Sequence, residues 1–362
     1  MNEKNNINKI IGLIKKEGKK LKKKINLMEV CGTHTMAISR FGIRGMLPEK
    51  INLISGPGCP VCVTPISEID KAIELARIKD VIITTFGDMM KVPGTKSSLM
   101  LEKAKGADIR VVYSPVDSLD IAKKNKSKKV VFLGAGFETT APLVASIVKK
   151  AKGENIINFF VLPCFKVIIP PMEALLNDKD LNLDGFICPG HVSAITGAKI
   201  YEQLVRKYKI PCVVMGFEPM DILTGIYMII RQIINNKPRV EIQYSRAVKY
   251  TGNTNAQKIL MEVFKETDSN WRGIGLIPKS GLAFSDEYAE FDAAKKFTFD
   301  ISYSKEPAGC RCGDVLKGKC IPFDCKLFAK KCTPENPAGA CMVSSEGTCA
   351  AYYKYERVKI KL

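Results

Sequence analysis

The sequence predicts an α/β protein with two parallel-sheet α/β domains facing a cleft and a smaller, cysteine-rich C-terminal domain. From about residue 50 to residue 235, short β-branched runs alternate with helical patterns, as in βαβ units and parallel sheets buried on both faces. The charged run 123–129 interrupts this alternation near its middle and favours two domains over one large sheet. Seven of the 13 cysteines lie between Cys310 and Cys349, which sets the C-terminal region apart.

These features divide the chain into four predicted segments. They are a basic amphipathic N-terminal helix over 1–27, an α/β domain over 28–125, a second α/β domain over 126–235 and a C-terminal domain over 236–362. The predicted strands are Ile51–Ser55, Val81–Phe86, Ile109–Tyr113, Val130–Leu133, Phe159–Leu162, Gly185–Ile187 and Cys212–Met215. Helical patterns between them include Ile66–Ile78, Thr140–Ala151 and Ala194–Tyr208.

The N-terminal segment is strongly basic, with nine lysines and two glutamates in its first 25 residues, and the whole chain has a formal net charge of +19. Its apolar residues recur at helical spacing and predict a helix packed on the body of the protein: Ile7, Ile10, Ile11, Ile14, Leu21 and Ile25. These 25 residues lack the aromatics that nucleic-acid binding or membrane-surface binding would use. We therefore expect no nucleic acid and no membrane as partner, and a preference for acidic partners or anionic ligands.

Length and cysteine content narrow the class of protein further. The 362 residues suffice for two or three domains, and no apolar run approaches the roughly 18 residues needed to span a bilayer. The N-terminus has Lys and Asn where a secretory signal needs an apolar core, so we expect a cytoplasmic protein. In a reducing compartment, an odd number of cysteines favours metal or redox use over a closed disulfide framework.

Several predicted strands end in turns that carry unusual chemistry. These turns are Ser-Gly-Pro-Gly-Cys-Pro (55–60), Phe-Gly-Asp-Met-Met (86–90), Gly-Ala-Gly-Phe-Glu-Thr-Thr (134–140), Cys-Pro-Gly-His-Val-Ser (188–193) and Met-Gly-Phe-Glu-Pro (215–219). Ligands of open parallel sheets bind beyond the carboxyl ends of the strands. We therefore expect the turns to line a cleft between the two domains.

Two short motifs carry candidate chemistry. Cys59-Pro-Val-Cys62 follows a predicted strand and precedes a helix that Thr64 is expected to cap, so the helix dipole should lower the thiol pKa values. Such a pair can cycle between dithiol and disulfide or hold half a metal site, and the spacing does not choose between these roles. In Cys31-Gly-Thr-His34, a thiolate and an imidazole three residues apart can reach one metal ion, or form a cysteine–histidine acyl-transfer site.

The C-terminal cysteines form the third candidate site, with the positions Cys310, Cys312, Cys320, Cys325, Cys332, Cys341 and Cys349. Soft thiolates select iron–sulfur clusters, zinc or copper(I). Zinc sites usually show Cys-x-x-Cys pairs, which this region lacks. The wide, irregular spacing favours an iron–sulfur cubane.

Five motifs together resemble the HypD family of hydrogenase maturation proteins. They are Cys-Gly-Thr-His-Thr-Met-Ala (31–37), Gly-Pro-Gly-Cys-Pro-Val-Cys (56–62), Gly-Phe-Glu-Thr-Thr (136–140), Pro-Gly-His-Val-Ser (189–193) and Met-Val-Ser-Ser-Glu-Gly-Thr-Cys (342–349). The resemblance extends from about residue 28 to residue 355. It implies a redox-active assembly scaffold, rather than a freestanding enzyme, on which the iron dicyano-carbonyl centre of [NiFe]-hydrogenase is built. The implied partners are HypC, which shares the iron, and HypE with HypF, which donate cyanide.

The resemblance also implies roles for individual residues. Cys31 would be a ligand of the transient iron, His34 a neighbouring or proton-handling group, and Cys59 and Cys62 a redox pair. A [4Fe–4S] cluster would be held by Cys310, Cys325, Cys332 and Cys349, leaving Cys312, Cys320 and Cys341 outside the ligand set. We expect the cleft to be lined by Glu138, His191 and Glu218, without an assigned role.

Two other functions remain open at this point. The Cys59–Cys62 pair alone would suit a freestanding thiol–disulfide oxidoreductase that acts on diffusing substrates. The C-terminal cysteines alone would suit a zinc-stabilised binding module. Neither alternative uses Cys31 and His34.

Overall fold

Three β-sheets organise residues 2–356, the part of the chain that the computed structural model describes. The strands are β1 (Ile25–Glu29), β2 (Ile51–Ser55), β3 (Val81–Thr85), β4 (Ile109–Val111), β5 (Lys129–Gly136), β6 (Phe159–Phe165), β7 (Gly185–Pro189), β8 (Cys212–Met215), β9 (Val240–Ile242), β10 (Phe264–Trp271) and β11 (Gly275–Phe284). Sheet 1 has the order β2-β1-β7-β8-β9 and sheet 2 the order β4-β3-β5-β6. Every pairing within sheets 1 and 2 is parallel, which confirms the predicted α/β class, and all seven predicted strands are confirmed.

The chain builds sheet 2 as an insertion within sheet 1. After β2 it leaves sheet 1, forms all four strands of sheet 2, and then returns to place β7 beside β1. The predicted domain boundaries remain predictions, but sheet membership does not change at residue 125, because β5 pairs with β3. The charged run 123–129 lies at the connection between a helix and β5, where exposed lysines are readily accommodated.

Helices flank the sheets and connect their strands. They are α1 (Asn2–Gly18), α2 (Gly32–Arg40), α3 (Ile43–Met46), α4 (Pro60–Val63), α5 (Ile66–Arg77), α6 (Leu99–Ala104), α7 (Pro115–Lys124), α8 (Ala141–Gly153), α9 (Ile169–Leu176), α10 (Gly190–Thr196), α11 (Glu202–Tyr208), α12 (Pro219–Ile234), α13 (Thr254–Val263), α14 (Ala293–Lys296), α15 (Cys312–Leu316) and α16 (Thr348–Tyr355). Short 3₁₀ helices lie at Gly87–Lys91, Lys199–Tyr201, Asp286–Phe291, Pro322–Asp324 and Ala340–Met342. No helix formed by residues 2–356 combines the length and the apolar character needed to cross a membrane.

Two predicted helices have different limits in the structure. The N-terminal helix was expected to extend over 1–27, but it ends at Gly18, and Ile25 begins strand β1. Pairing of β1 with both β2 and β7 at the centre of sheet 1 outweighs the helical spacing of its apolar residues. The predicted helix 194–208 is interrupted at Gly197, whose φ of 78° and close contact with the carbonyl oxygen of Tyr250 exclude a side chain.

The core consists of apolar clusters on the two faces of each sheet. One cluster packs α1 and α12 on sheet 1, and another packs α8 and the β10–β11 hairpin on sheet 2. A larger cluster joins the facing sides of the sheets and includes Cys59, Cys62 and four of the C-terminal cysteines. The two predicted sulfur-rich sites are therefore part of one continuous core.

The packing of α1 on α12 gives a direct test of the fold. Ile14 of α1 is fully buried, whereas Leu13 beside it is 37% exposed. We expect Ile14→Ala to lower the free energy of unfolding by about 2–4 kcal/mol, because it leaves a cavity in the core. Leu13→Ala should change it by less than about 1 kcal/mol. Urea unfolding measures both variants, and equal losses would contradict this packing.

Candidate functional site

Cys31 follows the carboxyl end of β1 and occupies the N-cap position of α2. The next residue, Gly32, donates its N–H to the carbonyl oxygen of Gly58 at 3.0 Å, so this segment contacts the turn after β2. A Cβ atom on Gly58 would stand 2.0 Å from the backbone nitrogen of Cys31, so only glycine fits. Because Cys59 follows Gly58 directly, this contact places the Cys31 backbone beside the loop that carries the Cys59–Cys62 motif.

Cys59 and Cys62 form a disulfide, with Cα atoms 5.2 Å apart, and both residues are buried. Cys59 is the N-cap of α4, and its sulfur accepts a hydrogen bond from the Cys62 N–H at 3.2 Å. Thr64, predicted to cap the next helix, instead donates its hydroxyl to the Pro60 carbonyl, and Pro65 occupies the N-cap position of α5. The disulfide thus lies on a separate, four-residue helix.

Glu346 completes the surroundings of Cys31 from the far end of the chain. The Thr33 hydroxyl donates to Glu346 Oε1 at 2.6 Å, and a Cβ on Gly32 would lie 2.5 Å from the Cβ of Glu346. The loop that carries Glu346 is held by a 2.9 Å hydrogen bond from the Ser344 hydroxyl to Asp88 Oδ2. Glu346 lies within the motif 342–349, but the sequence alone did not indicate its contact with Thr33.

Burial and charge keep the Cys31 thiol protonated at neutral pH. Burial, reinforced by the charge of Glu346, raises the pKa of Cys31 to about 12. The backbone N–H groups of His34 and Thr33, at the start of α2, oppose this rise. A positively charged ligand of the sulfur would act in the same direction as these N–H groups and favour the thiolate.

His34 is a neutral, buried imidazole with one defined hydrogen bond. Its Nε2 lies 2.9 Å from the carbonyl oxygen of Gly216, which can only accept, so Nε2 carries the proton. Burial lowers the pKa of His34 to about 4. The other ring nitrogen, Nδ1, is buried without a partner and therefore presents a free lone pair.

Phe217 joins the two histidines of the chain. The ring of His34 lies 4.7 Å from that of Phe217, and His191 stacks on Phe217 at 4.1 Å between centroids. Burial lowers the pKa of His191, while the charge of Glu346 acts in the opposite direction. Phe217 belongs to one of the predicted strand-end turns, but the sequence alone gave no reason to prefer it to its neighbours.

The two glutamates expected to line the cleft, Glu138 and Glu218, have different surroundings, and their place in a cleft stays a prediction. Glu138 is buried and accepts a 2.8 Å hydrogen bond from the Ile168 N–H through Oε1, while Oε2 has no partner. It lines a cavity of about 600 Å³ bordered by α13 and the β10–β11 hairpin. Glu218 is 74% exposed and pairs with Arg246 at 3.5 Å. The structure therefore brings His191 close to His34 through the shared neighbour Phe217, and no such ring contact involves either glutamate.

Six of the seven C-terminal cysteines line one small pocket, which Val315, Leu327, Phe328 and Met342 also border: Cys310, Cys312, Cys325, Cys332, Cys341 and Cys349. The seventh, Cys320, is not part of its lining. Neighbouring thiols in the pocket shift one another's pKa values: Cys310 with Cys312, Cys312 with Cys341, and Cys341 with Cys349. All four predicted cluster ligands thus face one enclosure.

The donor set of this pocket suits a thiolate-ligated cluster. It offers more sulfur donors than the four that a [4Fe–4S] cluster needs, in an apolar setting that limits solvent access. Within the described residues, no group of three or more His, Cys, Asp or Glu is arranged as a ready-made metal site. The fit therefore rests on the number, type and shared enclosure of the sulfur atoms.

Gly58→Ala tests the contact between Cys31 and the disulfide loop. The added methyl group cannot be accommodated beside the Cys31 backbone, so we expect a loss of stability of about 1–3 kcal/mol in urea unfolding. Iodoacetamide should also modify Cys31 faster, as followed by mass spectrometry. Gly12→Ala in α1, where a Cβ meets nothing within 4 Å, is the control and should be neutral or stabilising. Wild-type stability and reactivity in Gly58→Ala would contradict this geometry.

The buried carboxyl group of Glu138 should make the free energy of unfolding depend on pH. Burial raises its pKa from 4.5 to about 7, so between these values the folded state binds more protons than the unfolded state. Stability should therefore fall as pH rises through this range, and Glu138→Gln should remove up to about 3 kcal/mol of that fall.

Urea unfolding at pH 5 and pH 8 measures the difference. The exposed Glu49→Gln is the control and should keep the wild-type dependence. An unchanged dependence in Glu138→Gln would show that Glu138 is ionised in the folded state at pH 5.

Comparisons with known proteins agree with this arrangement of motifs. The family model "HypD: Hydrogenase formation hypA family" matches residues 5–356. A putative hydrogenase expression/formation protein of Methanocaldococcus jannaschii is 47% identical over 358 residues, which cover 99% of each chain. The hydrogenase maturation factors HypD of Cupriavidus necator and Escherichia coli are 46% and 45% identical, each over 92% of this chain and 90% of its relative. The chain therefore belongs to the HypD family of hydrogenase maturation factors.

Proposed function

We propose that this protein is the scaffold on which the iron dicyano-carbonyl centre of [NiFe]-hydrogenase is assembled, together with a HypC-type partner. The observation that carries the proposal is the contact between the Cys31 and Gly58 backbones, which brings the free cysteine Cys31 next to the loop of the Cys59–Cys62 disulfide. A free thiol suits transient binding of an iron cargo, and an adjacent disulfide suits redox chemistry on that cargo.

Cys31 would serve as the protein's ligand to the iron, with a cysteine of HypC as the second. Since the pKa of Cys31 is raised to about 12, iron binding must displace a proton from this thiol. His34, whose pKa is lowered to about 4, offers its unpartnered Nδ1 lone pair as a buried hydrogen-bond acceptor rather than as a base for this proton. Glu346 and the N-terminus of α2 would balance the charge of the bound thiolate and its iron.

Cys59 and Cys62 would be the redox pair of the site. Reduction of the disulfide takes two electrons and two protons and gives two thiols, and reoxidation returns both. The backbone contact with Cys31 keeps this exchange next to the cargo. Cyanide itself would come from the HypE–HypF pair.

Cys310, Cys325, Cys332 and Cys349 would hold a [4Fe–4S] cluster, which when bound supplies one-electron transfer. The shared pocket supports a common cluster, because all four cysteines line it. A link to the disulfide is supported by the 3₁₀ helix Ala340–Met342, which carries pocket residues and packs against α4. The cysteine-rich C-terminal segment is thus proposed as the electron-supplying part of the scaffold.

The burial of the disulfide argues against a freestanding oxidoreductase. Cys59 is 3% exposed and Cys62 is fully buried, so a diffusing protein substrate has no direct access to either sulfur. A redox-active scaffold that works inside a complex accounts for this burial. A zinc-stabilised module would use neither Cys31 nor the disulfide.

Cys31→Ala tests the proposed cargo site. The variant should keep the fold and the brown colour of the cluster, because Cys31 lies outside the C-terminal pocket. After anaerobic co-purification with HypC, infrared spectroscopy should show the cyanide and carbonyl stretches of the wild-type complex reduced at least tenfold.

Cys320→Ala is the matched control, since Cys320 is neither in the pocket lining nor beside Cys31. It should retain both the colour and the infrared bands. Normal bands in Cys31→Ala would remove Cys31 from the site. A colourless wild-type preparation without iron or inorganic sulfide would refute the proposed cluster.

A further inference from the structure

The tip of the β10–β11 hairpin lies against α4, the helix that carries the disulfide. Arg272, at this tip, donates its backbone N–H to the carbonyl oxygen of Val63 at 2.9 Å. Its side-chain Nε donates to the carbonyl oxygen of Thr64, also at 2.9 Å. A single residue thus binds the last residue of α4 and the residue that follows it.

The same hairpin tip contacts the cysteine pocket on its other side. A Cβ on Gly273 would lie 2.0 Å from the Cα of Gly313, and a Cβ on Gly313 would lie 2.6 Å from the Cα of Gly273. Gly313 directly follows Cys312, which lines the pocket. Two glycines in mutual contact therefore fix the hairpin tip to the pocket wall, next to Arg272.

Arg272 is a buried cation with incomplete compensation. Its side chain is 1% exposed, and its Nη1 reaches Glu306 Oε2 at 3.4 Å, a carboxylate that is itself about half exposed. Its Nη2 is buried without a partner. A buried guanidinium in this state is costly unless a further anion lies nearby.

We propose that Arg272 is a positioning and charge-compensating residue between the two sulfur centres. It holds α4 against the pocket, and its buried charge stabilises the negative charge that the pocket's iron–sulfur cluster gains on one-electron reduction. The electron comes from an external reductant, no proton is required, and the negative charge of the cluster increases by one. The inference rests on the proposed function, because it presupposes a cluster in the pocket.

Arg272→Gln, Arg272→Lys and Arg311→Gln test this role. Arg311 is the matched control, since it carries the same charge and lines the pocket, but is 41% exposed and paired with Asp314. The reduction potential of the cluster is measured in the purified full-length protein by anaerobic titration with dithionite, followed by absorbance.

Arg272→Gln should lower the equilibrium constant for cluster reduction at least tenfold, which corresponds to a fall in potential of about 59 mV for a one-electron couple. Arg311→Gln should change it less than threefold, because solvent screens an exposed charge. Arg272→Lys keeps the charge and should stay within threefold of the wild type. If Arg272→Gln does not retain the cluster, the test rests on Arg272→Lys. An equilibrium constant for cluster reduction within threefold of the wild type supports the role of the charge, and a tenfold fall overturns it.

The outcomes also separate this inference from the proposed function. A wild-type protein without cluster absorbance refutes the proposed cluster and this inference with it. A wild-type cluster whose potential is the same in Arg272→Gln overturns the role of Arg272 and leaves the proposed function intact. Equal shifts in Arg272→Gln and Arg311→Gln would likewise overturn it, because burial would then make no difference.

Discussion

The close approach of Gly58 to Cys31 is the contact on which the candidate site depends. It follows from the parallel pairing of β1 with β2, in which Glu29 lies opposite Ser55, so that both strands end at the same edge of sheet 1. A further hydrogen bond, from the Gly56 N–H to the Glu29 carbonyl at 2.8 Å, continues the pairing into the turn. Any side chain at position 58 would overlap the Cys31 backbone, so the two segments could not keep this close approach.

Burial is the second determinant of the chemistry. It keeps Cys31 protonated, with a pKa of about 12, and His34 neutral, with a pKa of about 4. In the absence of a ligand, the site therefore holds neither a thiolate nor an imidazolium. A cation bound at Cys31 would favour the thiolate. In the inference above, the buried charge of Arg272 likewise stabilises negative charge in the C-terminal cysteine pocket.

Short patterns in the sequence predicted most strands of the two parallel sheets, but not the contacts between distant segments. The seven predicted strands and the turns at their ends are present because β-branched runs and glycine-rich turns act over a few residues. Strand β1 was missed because Ile25 continues the helical spacing of the preceding segment, and only pairing with distant strands selects the extended form. Thr33 meets Glu346 across 313 positions, and Arg272 meets Thr64 across 208, so no local signal could have identified these contacts.

Cys31 is proposed to bind iron next to the disulfide, separately from the iron of the C-terminal pocket. Anomalous diffraction at the iron edge, on crystals of the anaerobically prepared complex with HypC, locates iron atoms directly. We expect one iron at the Cys31 sulfur and a compact group of iron atoms among the pocket cysteines. Iron in the pocket alone, with none at Cys31, would contradict it.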